Sequence, residues 1–288
     1  MSTELTVAAE RGQSLAELMG VSNVPTGSAV PSIARLNINS KSIMGEVEFN
    51  GKTIKTEVIP VGALKLTIGE DTYYAHTAKI RVFAMRYRFQ RWNSEKNEME
   101  KTVLANDLKH DLKDSIGGWN LGRPSGYVED YNSLPERIKQ VKRVKVFYGT
   151  VTLNSPMDEN GQEVSCDVDI PFVWDVKNTP SIKNIDNVLS ALSRKNLLPI
   201  LSFINIKGVD ATKADGPAWG MVEASIGERV DITPEDNETL SNFIELIEYT
   251  NGKIIDMYEE RSGSGISKAD AEMVNDILNN DFIEVDES

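Results

Sequence analysis

A single cysteine, Cys166, excludes any intramolecular disulfide, and two histidines, His76 and His110, are too few for a Cys/His zinc site. That usage suits a reducing compartment, so a cytoplasmic protein is expected. No apolar run reaches the roughly 18 residues of a membrane span. The N-terminal stretch MSTELTVAAERGQSLAELMG also lacks the basic and then apolar order of a secretory leader. Neither insertion nor secretion is expected. The motifs G-x-S-x-G, H-E-x-x-H and G-x-G-x-x-G are absent. Gly45-x5-Gly51-Lys52-Thr53 imitates a phosphate loop with one residue too many, and its lysine opens a strand rather than a helix. It reads as a hairpin turn. No catalytic residue, cofactor or metal ligand is assigned, and no enzyme activity is expected.

What is present is a chain of 288 residues, 40% hydrophobic and 26% charged, enough for a sizeable core. Its net charge of −13 is unevenly spread: residues 79 to 148 carry 15 basic and 9 acidic groups, whereas residues 215 to 288 carry 4 and 19. A basic middle followed by an acidic end fits a polyanion binder that carries its own anionic competitor; a solvated acidic helical region is the plainer alternative.

Residues 1–30 read as an N-terminal arm and linker, 31–261 as a β-rich core domain with C-terminal helices, and 262–288 as a flexible Ser/Gly linker with an acidic tail. Period-two runs on either side of Asn50-Gly51 and of Glu70-Asp71 predict two hairpins. KIRVFAMRYRFQRW predicts one long strand, and RVKVFYGTVTL with EVSCDVDIPFVWDV predicts another hairpin, placing Cys166 in a strand. Helices are predicted over 181–197 and from Thr233, as N-cap before Pro234, to about Glu260. The fold class expected is α+β, with an antiparallel sheet or a small OB-like β-barrel and helices mainly in the C-terminal third.

The chemistry lies in the basic middle. Strict alternation puts Arg81, Phe83, Met85, Tyr87, Phe89 and Arg91 on one side of the long strand and Arg86, Arg88 and Trp92 on the other. Cations beside π surfaces suit single-stranded nucleic acid, whose bases stack on rings while Lys and Arg track phosphates. Phe83 and Phe89 read as core before they read as a stacking platform. The long segment 108–142 is expected to be an ordered functional loop offering Lys113, Trp119, Arg123 and Tyr127, with Trp119 as stacking residue or barrel plug. Asp107, Asp111 and Asp114, at helical spacing, read as a solvated helix face before a metal site. Arg137, Lys139, Lys142, Arg143 and Lys145 offer a further backbone track.

A strand-rich body with basic-aromatic strands, a Ser/Gly linker and an acidic terminus resembles the phage-encoded single-stranded DNA-binding proteins over about residues 30 to 288. The resemblance implies an OB-type body that protects single strands during replication or recombination, in the host cytoplasm. It also implies a tail, here Asp281, Phe282, Glu284, Asp286 and Glu287, that recruits replication or recombination proteins. A homo-oligomer is compatible with it. A virion structural or assembly protein is the alternative from another class, and a metal-dependent nuclease a third.

Overall fold

The computed structural model describes residues 33–49, 52–124, 130–213 and 216–262. Tyr127, the N-terminal arm and the acidic tail lie outside them. Eleven strands are described: β1 (Ala34–Ile38), β2 (Ile43–Phe49), β3 (Lys52–Ile59), β4 (Leu64–Ile68), β5 (Asp71–Ala75), β6 (Thr77–Asn93), β7 (Glu98–Lys101), β8 (Lys142–Asn154), β9 (Ile170–Val176), β10 (Ser202–Asp210) and β11 (Gly220–Arg229). The helices are a single turn α1 (Glu136–Lys139), α2 (Thr179–Arg194) and α3 (Pro234–Ser262).

Nine strands form one sheet in the order β11-β10-β6-β8-β9-β1-β4-β5, with β7 paired to β6, while β2 and β3 pair only with each other as a separate ribbon. The protein is therefore α+β with a mostly antiparallel sheet; β1 and β9 run parallel, which makes the sheet mixed. β5 and β11 end the order without pairing to one another, so the sheet is open rather than a closed barrel. It curls strongly all the same. A Cβ on Gly208 of β10 would stand 2.0 Å from the Gly62 carbonyl oxygen, so the β3–β4 turn can close onto β10 only over glycine.

The two faces are covered by different helices. Ile185, Val188 and Leu192 of α2 pack with Ile80, Val82, Phe147, Val151, Phe172 and Trp174. Phe243 and Ile247 of α3 pack with Ala84, Val144, Val146 and Tyr148. Both helices start at a side-chain cap, of which the sequence predicts only that at Thr233. The Asn178 side chain accepts from the Ser181 N–H at 2.8 Å, and Thr233 exchanges bonds with Asp236, whose Oδ2 accepts from the Thr233 N–H at 2.9 Å while the Asp236 N–H donates to Thr233 Oγ1. Among the described residues no helix is long and apolar enough to cross a membrane.

Two expectations fail for local reasons. Cys166 is not in a strand, because Asp169 takes a left-handed φ of 51° and β9 begins only at Ile170. The Asp107–Asp114 run is not helical. Asp114 is fully buried, and its carboxylate accepts from the backbone N–H groups of Ile116, Gly118 and Leu121, which makes it the anchor of the loop.

Candidate nucleic-acid interface

The long strand alternates until Val82 and then loses step. Val82 faces Gly149 on β8 and Ala84 faces Tyr148, so Phe83 has no partner and forms a bulge. Gly149 accommodates it, since a Cβ there would lie 1.9 Å from the Arg81 carbonyl oxygen. The bulge reassigns every later side chain. Arg81, Ala84, Arg86, Arg88, Gln90 and Trp92 share the α3 face, while Tyr87, Phe89 and Arg91 share the face of Ile80 and Val82.

Arg81 is therefore structural. Buried against the start of α3, it donates from both terminal nitrogens to the Asp236 carboxylate at 2.8 Å and to the Ile200 carbonyl. Arg91 is spent the same way, paired with the buried Glu100, and also donates to the Arg137 carbonyl. Neither is available to a ligand, and both leave the expected interface. Phe89 packs with Leu121 and Val141, and Phe83 meets the Phe243 ring edge-on, so both rings are core.

On the α3 face the remaining cations gather. Gln90 pairs across the sheet with Lys101 on one side and Lys142 on the other, and Trp92 pairs with Met99. Trp92, Met99, Lys139, Lys142 and Lys177 line an open depression of about 570 Å³, with Glu136 as the acid beside Lys139 at 2.8 Å. The Trp92 side is 49% exposed. At the base lies Gln90, whose buried side-chain oxygen has no hydrogen-bond partner. Continuing across the sheet, Arg88 pairs with Asp175, Arg86 donates to the Met85 carbonyl, and Arg35 stands exposed on β1.

The other expected residues are brought together elsewhere. Tyr87 lies under the Lys145 ammonium, 5.2 Å from its ring centroid, and Lys145 is paired with Asp186. Arg123 stacks over Phe89 and Tyr131 and donates to the Val141 carbonyl. Burial and then the neighbouring Arg143 lower its pKa; Arg143 pairs with Phe89 across β6 and β8, so both arginines lie on the side away from Trp92. Trp119 meets Tyr258 of α3 edge-on at 5.7 Å, and the Lys113 ammonium sits 4.7 Å from the same tyrosine ring. Trp119 is half exposed and plugs no barrel. Lys101, Lys177 and Arg35 were not among the expected residues: each is a lone cation in its own strand or at its end, and only the register joins them.

Comparisons with protein-family models, with curated proteins and with solved structures found no match.

Proposed function

We propose that this protein binds and protects single-stranded DNA during replication or recombination, acting as a binding protein and not as a catalyst. The observation that carries the reading is the juxtaposition of a half-exposed Trp92 with Lys139, Lys142 and Lys177 around one depression, where Glu136 is the acid in the lining. A base can stack on the indole while the lysines follow the phosphates on either side, a contact that tolerates any sequence because every base has a π face. The resemblance to phage-encoded single-stranded DNA-binding proteins supports the same assignment. An OB-type relationship belongs to this proposal, though stacking and charge need only an exposed sheet face. So do a cytoplasmic site of action, recruitment of replication or recombination proteins by the acidic tail, and self-association.

The test is an electrophoretic shift titration with labelled oligonucleotides across a salt series. Binding should fall linearly on logarithmic axes with a slope of about −0.7 per phosphate neutralised. Lys142→Gln and Lys177→Gln should each flatten the slope by about that amount. Binding that is absent at low salt, or flat across the series, removes the proposal.

One observation favours a second reading, a virion structural or assembly protein. The β2–β3 ribbon pairs with no other described strand and presents Met44, 55% exposed, and Ile54, 47% exposed. Apolar side chains on an unpaired ribbon suit a protein interface. Sedimentation of the chain with and without Met44→Ser and Ile54→Ser tests it: concentration-dependent association that these changes abolish supports assembly, and a monomer at all concentrations counts against self-assembly through the ribbon.

A further inference from the structure

The strand register builds a compact set of rows next to α3. Arg86 faces Val146, which faces Asp175; Arg88 faces Val144; Ala84 faces Tyr148, which faces Val173, which faces Arg35. Lys177 follows directly on the last residue of β9, and Lys101 flanks Gln90 from β7. Five cations thus surround one carboxylate. Arg88, 7% exposed, gives one terminal nitrogen to Asp175, while its buried Nε has no hydrogen-bond partner. The one side-chain bond of Arg86 among the described residues goes to the neighbouring Met85 carbonyl, and Arg35, Lys101 and Lys177 make no ion pair with any described residue.

Such a surplus is costly where water is partly excluded, because like charges then repel through a lower effective dielectric. The strain is visible at Lys101. Burial lowers its pKa and Arg88, Arg35 and Lys177 lower it further, with Asp175 alone opposing them. The Tyr148 hydroxyl, pushed up to about 12 chiefly by burial, stays protonated at neutral pH and adds a neutral donor to the same face. An arrangement of guanidinium forks, two ammonium groups and one orphaned donor matches a tetrahedral oxyanion, which accepts several charge-assisted bonds and removes the repulsion.

We propose that Arg35, Arg86, Arg88, Lys101 and Lys177 form a seat for one phosphate group, with Asp175 holding Arg88 in place until the anion arrives. The seat shares Lys177 with the depression that holds Trp92. The owner of the phosphate is then a phosphodiester of a bound strand, and this step alone rests on the single-strand reading; a free phosphate satisfies the same groups.

Calorimetric titration of the full chain with inorganic phosphate at low ionic strength tests the seat. Saturable binding is expected, weakened about tenfold by Lys101→Gln and by Arg35→Gln, since each removes one charge-assisted contact. Asp175→Asn removes the competing carboxylate and should tighten it, whereas Lys207→Gln, opposite Thr77 at the far end of β6, leaves it unchanged. Absence of phosphate binding overturns the seat, as does binding indifferent to both Lys101→Gln and Arg35→Gln. Those two changes are at exposed or half-exposed positions, so the outcome is decided whether or not the Asp175 variant folds. A base-free deoxyribose-phosphate oligomer then identifies the source. If it competes with inorganic phosphate at the seat, the ligand is a strand; if phosphate binds with the expected sensitivities and the oligomer does not compete, the seat serves a free anion. Oligonucleotide binding without phosphate binding overturns the seat and leaves the single-strand reading standing; phosphate binding without oligonucleotide binding does the reverse.

Discussion

Arg81 and Asp236, 155 residues apart in the chain, meet fork to fork through two bonds of 2.8 Å and thereby fasten the first turn of α3 to the first third of β6. The aspartate also caps the helix through Thr233, so one carboxylate serves both the helix start and its docking. Removing one partner leaves the other charge buried. Arg81→Ala should therefore lower the free energy of unfolding by about 3–5 kcal/mol. Oligonucleotide affinity, measured on the remaining folded protein, should not change. Urea titration beside a shift assay checks both, and a stable variant with weakened binding would return Arg81 to the interface.

The same pair sets an acid limit. Burial by itself would raise the Asp236 carboxyl, but the bonds from Arg81 and Thr233 outweigh it and hold the pKa below the ordinary value. Glu100 behaves alike: burial is outweighed by Asn93 and Arg91. A carboxylate depressed in the folded state contributes stability above its unfolded pKa, and that contribution disappears as pH falls through the folded value. The urea midpoint should be level from neutrality to about pH 5 and decline below about pH 4, the range of unperturbed carboxylates. A midpoint constant down to pH 3 would show that neither pair matters.

Trp92 and Trp119 are equally exposed yet differently placed, which separates stacking from scaffolding. Trp92 stands among Lys139, Lys142 and Lys177, whereas Trp119 leans on Tyr258 with Lys113 over the same ring. Trp92→Ala should cost about 1–3 kcal/mol of oligonucleotide binding, the worth of one stacked base. Its melting temperature should hold. Trp119→Ala should spare affinity and loosen the contact between the loop and α3. Intrinsic fluorescence of each single-tryptophan background gives the direct readout: quenching by oligonucleotide at Trp119 and none at Trp92 would reverse the assignment.

The contrast shows what a one-dimensional reading reaches. The cap at Thr233, the hairpin turns and the span of β6 follow from local rules, because their causes lie within a few residues. The bulge at Phe83 does not. Its cause is Gly149 on another strand, and nothing in the alternation IRVFAMRYRF marks the step at which the faces exchange. That one event puts Arg81 on the same face as Arg86 and Arg88, and puts Tyr87 and Phe89 on the face of Ile80 and Val82. Cation count and aromatic content singled out residues 79 to 148; Lys101, Lys177 and Arg35 of the proposed seat lie on β7, just after β9 and on β1, and are joined only by pairing. The parallel β1–β9 contact was equally hidden, since no local pattern distinguishes it from another hairpin partner.

The acidic end provides the last prediction. Residues 266 to 288 carry seven acidic side chains, Asp270, Glu272, Asp276, Asp281, Glu284, Asp286 and Glu287, against the single Lys268. The chain leaves α3 beside the basic face: Arg261 donates to the Ser115 carbonyl at 2.6 Å and lies 3.6 Å from Glu98, and Ser115 exchanges bonds with Lys101. Seven carboxylates tethered at that point are expected to reach a high effective concentration near the cations a strand would use. They should compete with it. Deletion after Gly265 is expected to tighten oligonucleotide binding, most at low salt, where charges are least screened. Binding of inorganic phosphate should tighten in parallel, and the melting temperature should stay within a degree or two of the full chain. If Ile266, Met273, Ile277 and Leu278 instead pack as a terminal helix on the body, truncation lowers the melting temperature and leaves affinity where it was. That result would remove competition by the tail while leaving the Trp92 surface and its lysines as the binding site.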